Sequence, residues 1–189
     1  MKILAISGSL RAVSSNTAVL RAAARLAPEG VEIVLFDGLA GLPYFNPDLD
    51  GDTVPDAVAA FRRLVGEADG ILISSPEYAR GVAGVLKNAL DWLVASFEFP
   101  NKPVALINTS PRATHALAAL TLTLTLETMS AHLVRDAFVT LPLLGVANDE
   151  TSIVTDEGLA GPLRRAIAGF AAVIRTSPSG EMTPRHGLR

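Results

Sequence analysis

Short, almost wholly apolar runs alternate along the chain with longer amphipathic ones, and each apolar run closes on small polar or turn-forming residues. Lys2 to Ser7 (KILAIS), Val31 to Phe36 (VEIVLF), Asp69 to Ser74 (DGILIS) and Pro103 to Asn108 (PVALIN) have the length and continuous hydrophobicity of strands buried on both faces. Between them, Thr17 to Ala27 places Val19, Ala23, Leu26 and Ala27 at helical spacing before Pro28 and Gly30 stop it. Asp56 to Glu67 and Val82 to Ala95 predict two further helices. Strands alternating with helices in this way predict an α/β fold, a parallel sheet with helices on both faces.

Three stretches need more than periodicity. Gly38 to Asp52, rich in turn formers, predicts a long loop holding Leu42, Tyr44 and Phe45 against the core. Leu120 to Leu126 (LTLTLTL) alternates with the period of a strand, yet Leu117, Leu120 and Leu124, and likewise Leu122, Leu126 and Met129, form helical stripes. The order of elements favours a helix. Ala131 to Thr140 then predicts a last strand and Leu159 to Ile174 a last helix, while Gly180 to Arg189 has no apolar face. One domain over residues 1–175 is expected, with 176–189 a disordered tail.

Composition narrows the chemistry. Hydrophobic residues make up 49% of the 189 positions and charged ones 19%, with a net charge of −3, which excludes wholesale disorder and leaves no basic footprint for nucleic acid. The expected partners are small molecules or other subunits. Cysteine is absent, so thiolate nucleophiles, disulfides and thiolate metal sites are excluded and redox chemistry requires a bound cofactor. The N-terminal apolar run is too short for a signal-peptide core, and no apolar stretch approaches the roughly 18 residues that span a bilayer. A cytoplasmic protein with no membrane partner is expected. His115 and His132 lack carboxylates at ligand spacing, so no metal site is expected. No GxSxG occurs.

Two segments carry candidate chemistry. Gly8 to Asn16 reads GSLRAVSSN, between the first strand and first helix. Hydroxyls, Arg11 and unpaired amides at a helix N-terminus there suit an anion. A dinucleotide fingerprint would need further glycines and a phosphate loop of the Walker type a Gly-Lys-Ser/Thr; neither is present. Taken alone, the segment is equally an ordinary connection whose Ser14, Ser15 or Asn16 caps the helix. Ser75 to Trp92 reads SPEYARGVAGVLKNALDW and follows the third strand, at the sheet end where open α/β sheets place ligands. Lys87 and Asp91, four apart, read as a weak helical ion pair worth roughly 0.3 kcal/mol. Asn88 reads as structural, and Trp92 as packing at the helix end or a subunit contact.

Together, GSLRAVSSN and PEYARGVAGVLKNALDWL resemble the NADPH-dependent FMN reductase family, the flavodoxin-like quinone, azo and chromate reductases, whose usual forms are GSxRxxSxN and PEYNxSxPGxLKNAIDWL. The resemblance extends over roughly the first 175 residues, by the same alternation of elements. It implies a flavodoxin-like three-layer sandwich with a five-stranded parallel sheet in the order 2-1-3-4-5. Phosphate contacts are implied at Ser9, Arg11, Ser14 and Asn16, with Thr17 opening the helix. The ring-binding backbone falls on Pro76, Glu77 and Tyr78, and Thr109, Ser110 and Arg112 lie in the loop that closes over the ring edge. This chain departs from the pattern at Ala79, where asparagine is usual, at Gly81, at Ala83 and at Pro111. At Ala79 and Gly81, backbone contacts remain while side-chain ones are lost.

The implied function is an FMN-dependent NAD(P)H oxidoreductase that passes a hydride from NADPH, or NADH, to bound FMN and then to a quinone, flavin or similar small-molecule acceptor, with ping-pong kinetics. No protein group is implied as catalytic, because the flavin carries the chemistry. A homodimer or homotetramer is implied by resemblance alone. The alternatives are a flavin-binding electron carrier or sensor without turnover, and a flavin-free binding domain. Arg80 and Arg112 sit in loops expected to border the ring, where either can meet the NADPH 2′-phosphate. Arg80→Ala or Arg112→Ala is therefore expected to lower the ratio of kcat/KM for NADPH over NADH; an unchanged ratio in both variants removes the assignment.

Overall fold

The computed structural model describes residues 1–51, 53–110, 116–143 and 149–176. Strand β1 (Lys2–Ser7) is an interior strand of the sheet because each of its flanks finds a parallel partner, the edge strand β2 (Glu32–Phe36) on one side and the central β3 (Gly70–Ser74) on the other. A two-residue hairpin, β4 (Glu77–Tyr78) and β5 (Gly81–Val82), stands apart from the sheet. Strand β6 (Pro103–Asn108) pairs with β3, and β7 (His132–Leu133) and β8 (Val139–Thr140) both pair with β6. With the hairpin set aside, the order is the expected 2-1-3-4-5, the fifth position being shared by two short strands.

Alternating side chains sort the core into two layers. Leu4, Ile6, Ile71, Ile73, Val104 and Leu106 face helices α2 (Asp56–Glu67), α3 (Gly84–Asp91) and α4 (Ala116–Thr128). Ile3, Ala5, Leu72, Ala105 and Ile107 face α1 (Ser15–Arg25), α5 (Glu150–Thr155) and α6 (Glu157–Thr176). The three-layer flavodoxin-like sandwich follows from that division. No described helix is long and apolar enough to cross a membrane.

Several boundaries differ from expectation for local reasons. The predicted strand Ala131 to Thr140 is broken by a 3₁₀ turn at Arg135–Ala137, and from Leu133 to Val139 the chain takes twice as many steps as β6 takes from Val104 to Ile107. Helix α3 begins at Gly84 rather than Val82 because Val82 belongs to the hairpin, and it ends at Asp91 in tight turns. The LTLTLTL run is helical, as the element order requires. Helix α5, whose Ser- and Thr-rich sequence shows little apolar periodicity, was not foreseen; Asp149 caps it, and hydrogen bonds from Ser152 hold that carboxyl below its ordinary pKa. Thr176, assigned to the tail, closes α6; the rest of the tail lies outside the described residues.

The long loop before α2 is held by its main chain. Asn88 Oδ1 accepts from the Phe45 amide at 2.8 Å, and Asn88 Nδ2 and Trp92 Nε1 both donate to the Pro43 carbonyl. Arg62 ties the same region by donating to the Trp92 carbonyl and to Asp50 Oδ1. Leu42 is buried and Phe45 meets the Trp92 ring edge-on at 5.0 Å, but Tyr44 is 90% exposed, against expectation. Hydrogen bonds fix the main chain on both sides of Tyr44 and leave its side chain outward. Trp92 itself is wholly buried at the end of α3. The Lys87–Asp91 pair forms as expected on a partly exposed face.

Asn88→Ala removes the two Asn88 bonds of this clamp, leaves that of Trp92 Nε1 in place, and leaves the Phe45 amide without its acceptor. Equilibrium urea unfolding is expected to show a loss of about 1–3 kcal/mol; a stability equal to wild type would show that the loop needs no such clamp.

Candidate functional site

At the carboxyl ends of β1, β3 and β6, the loops that follow each strand converge on a cleft of about 250 Å³. The first loop enters through Gly8, whose amide donates to the Ser74 carbonyl at 2.8 Å. A Cβ on Gly8 would stand 2.3 Å from Ser75 Oγ and 2.7 Å from Ser75 Cβ, so only glycine permits this approach. The loop leaves through α1, where Ser14, extended at φ −135°, caps the helix by accepting from the Thr17 amide at 3.3 Å. The cap explains why the helix starts before Thr17. Ser7 Oγ and Thr17 Oγ1 lie 2.8 Å apart and close the stem of the loop.

A buried polar cluster joins the three loops. Asn16 Oδ1 accepts from Ser74 Oγ at 2.9 Å and from Thr109 Oγ1 at 3.2 Å, and all three side chains are buried. Ser110 is positioned by its amide, which donates to Asn108 Oδ1 at 3.0 Å. Ser110 lines the cleft, and its own hydroxyl is buried and without a hydrogen-bond partner.

The cleft thus has two characters. Ser9, Arg11, Ser14 and Asn16 line one end, beside the N-terminus of α1. Pro76, Glu77 and Tyr78 line the cleft from the loop after β3, and Thr109, bonded to Asn16, and Ser110 line it from the loop after β6, over apolar walls from Leu106, Leu122 and Leu143. Tyr78 is more than half exposed at the mouth. Arg11 is the one cation lining the cleft among the described residues.

Three expected contacts stand outside the lining. Thr17 is engaged by Ser7, while Ala79 and Gly81 belong to the turn of the hairpin. Ala79 and Arg80 have φ of 49° and 62°, the backbone of a type I′ turn, which strains L-residues. Asparagine, the usual residue at position 79 in the resemblance, tolerates this region better than alanine. Arg112 and Pro111 lie outside the described residues. Ser74, Ser75 and Asn108 were not among the predicted contacts; the paired serines that end an otherwise apolar strand are the available signal for the first two.

Fold and cleft define a flavodoxin-like protein whose cleft joins a hydroxyl-rich lining bearing Arg11 to apolar walls. A family model for NADPH-dependent FMN reductases matches residues 1–143, and the chain belongs to that family. Over 112 residues it is 44% identical to an NAD(P)H-dependent FMN reductase of Pseudomonas aeruginosa, covering 58% of this chain and 60% of the relative. Over 114 residues it is 44% identical to an NADPH:quinone oxidoreductase of Arabidopsis thaliana, covering 58% of each. The chain spans about 60% of the length of the curated relatives it matches. Among solved structures, the flavoenzyme NAD(P)H:(acceptor) oxidoreductase FerB of Paracoccus denitrificans superposes with a TM-score of 0.76 at 27% identity, over 92% of this chain and 97% of that one. Oxidised flavodoxin 1 of Bacillus cereus shares the fold at 14% identity, with a TM-score of 0.59 over 91% and 98% of the two chains.

Gly8→Ala is expected to force the β1 and β3 loops apart, since the short Ser75 side chain has no remote position to occupy. Thermal and urea unfolding should register a loss of about 1–3 kcal/mol; unaltered stability would contradict the close packing of the two loops.

Proposed function

We propose that the cleft holds FMN and that the protein is an NAD(P)H-dependent oxidoreductase of the cytoplasm, passing reducing equivalents to a quinone, a flavin or a similar small acceptor. The observation that carries this reading is one cleft in which a hydroxyl-rich loop bearing Arg11, set at a helix N-terminus, faces a tyrosine-bearing hairpin across apolar walls. The group fits on this chain's own terms, because the unpartnered Ser110 hydroxyl calls for a ligand with polar atoms on an otherwise apolar body. When bound, FMN supplies the two-electron redox chemistry that no side chain here can provide.

The residues then divide the work of binding. Arg11 supplies a charge-assisted hydrogen bond to the phosphate, and the α1 N-terminus adds its dipole. Ser14 accepts from Thr17, which leaves its hydroxyl proton to donate. Asn16 has its oxygen committed to Ser74 and Thr109, so its amide nitrogen is the group it offers a ligand. Ser9 contributes a further hydroxyl. At the other end, the backbone of Pro76 to Tyr78 borders the ring, Tyr78 covers a face, and Leu106, Leu122 and Leu143 keep water from it. Thr109 and Ser110 border its remaining edge. A single mouth serves donor and acceptor in turn, which is the basis for ping-pong kinetics. A homodimer or homotetramer belongs to the same reading, as the family resemblance implies.

Purified protein is expected to bind FMN and, with NADPH and a quinone, to oxidise the nicotinamide with parallel initial-rate lines. Arg11→Ala is expected to weaken FMN binding by about 1.5–3 kcal/mol, roughly tenfold to a hundredfold, measured by quenching of flavin fluorescence. Wild-type protein that neither keeps FMN through dialysis nor turns over NADPH would sink the reading.

A further inference from the structure

Ser74 is the last residue of β3, has no exposed surface, and is absent from the lining of the cleft. It nevertheless bonds both ends of the loop 8–16. Its carbonyl accepts from Gly8 N at 2.8 Å, where the loop begins, and its hydroxyl donates to Asn16 Oδ1 at 2.9 Å, where the loop ends. We infer that Ser74 is a positioning residue for the anion-binding end of the site, acting through Asn16 without touching the ligand. The inference rests on the FMN reading above.

The chemistry is that of a staple driven from a neighbouring strand. The Ser7–Thr17 contact closes the loop on its own flanks, but it does not fix the loop relative to the segment that borders the ring. Ser74 does, because the chain runs directly from it into Ser75 and Pro76 to Tyr78 at the cleft. The bond to Asn16 Oδ1 also sets the carboxamide plane, and with it the direction in which Nδ2 points. Thr109 completes the same acceptor from the β6 side at the longer distance of 3.2 Å. A ligand with phosphate at one end and a ring at the other requires the two halves of the cleft at a fixed separation. A ligand without the phosphate does not.

The test compares FMN with riboflavin, which differ only in the phosphate, by fluorescence-quenching titration of the apo-protein. In wild type the ratio of the two dissociation constants measures what the phosphate contributes. Ser74→Ala is expected to weaken FMN about tenfold while riboflavin binding stays within about twofold, so that the ratio collapses. Ser74→Cys keeps the volume with a weaker donor and should fall between. On an Asn16→Ala background, Ser74→Ala should change the ratio no further, because the bond through which it acts is already gone. A purely structural role would lower both affinities alike, and that outcome, or an undiminished FMN preference in Ser74→Ala and Ser74→Cys, overturns the inference alone. Wild-type protein that binds neither flavin overturns the FMN reading and this inference with it.

Discussion

One buried carboxamide oxygen organises the functional end of this molecule. Asn16 Oδ1 receives hydroxyls from β3 and from the loop after β6 while Asn16 itself sits in the first turn of α1. The connections that follow three neighbouring strands of the sheet are thereby given a common reference point. Buried polar groups must be satisfied, and this one can be satisfied from both sides only if the three strand ends stand at the right heights. The sheet supplies those heights through the parallel register of Ser7 with Ser74 and of Ile73 with Leu106. Gly8 adds the steric condition, since any side chain there would push the second loop away. Hydrophobic packing builds the sandwich, but this small polar network determines the shape of its open end.

The two core layers have different relations to that end. On the face of α1, small residues such as Ala18, Ala22 and Ala23 let the helix lie close to the sheet, which brings its N-terminus up to the strand ends. On the other face, Phe61, Trp92 and Phe99 fill a deeper layer and carry the long loop on their outer side. Close approach serves the loop 8–16 at the N-terminus of α1, and bulk serves the support of the opposite half. Both follow from residue size.

Much of this was legible in the sequence because the responsible forces are local or periodic. Continuous apolar runs identify β1, β2, β3 and β6, and the order of elements resolves LTLTLTL, whose alternation alone points the wrong way. The break between β7 and β8 was hidden, because Asp136 is the one turn former in Arg135 to Ala137 and the five-residue excursion is fixed by pairing to β6. Tyr44 was misplaced because side-chain hydrophobicity says nothing about a loop that is held through its carbonyls and amides. The loops that carry the cleft could be found from composition and position. Ser74 could not, since its importance lies in simultaneous bonds to residues 58 and 66 positions away, which no window along the chain contains.

The clamp on the long loop has a further consequence for how this surface can change. Asn88 and the Trp92 indole N–H bond main-chain atoms of Pro43 and Phe45, and the Trp92 ring meets the Phe45 ring, so none of these contacts uses the side chain of residue 44, whose identity is nearly free of the fold. Such a position is a mounting point. Its side chain can be exchanged among large, small, polar or charged types while the scaffold beneath stays unaltered, so related chains can acquire new surface affinities there without renegotiating their cores.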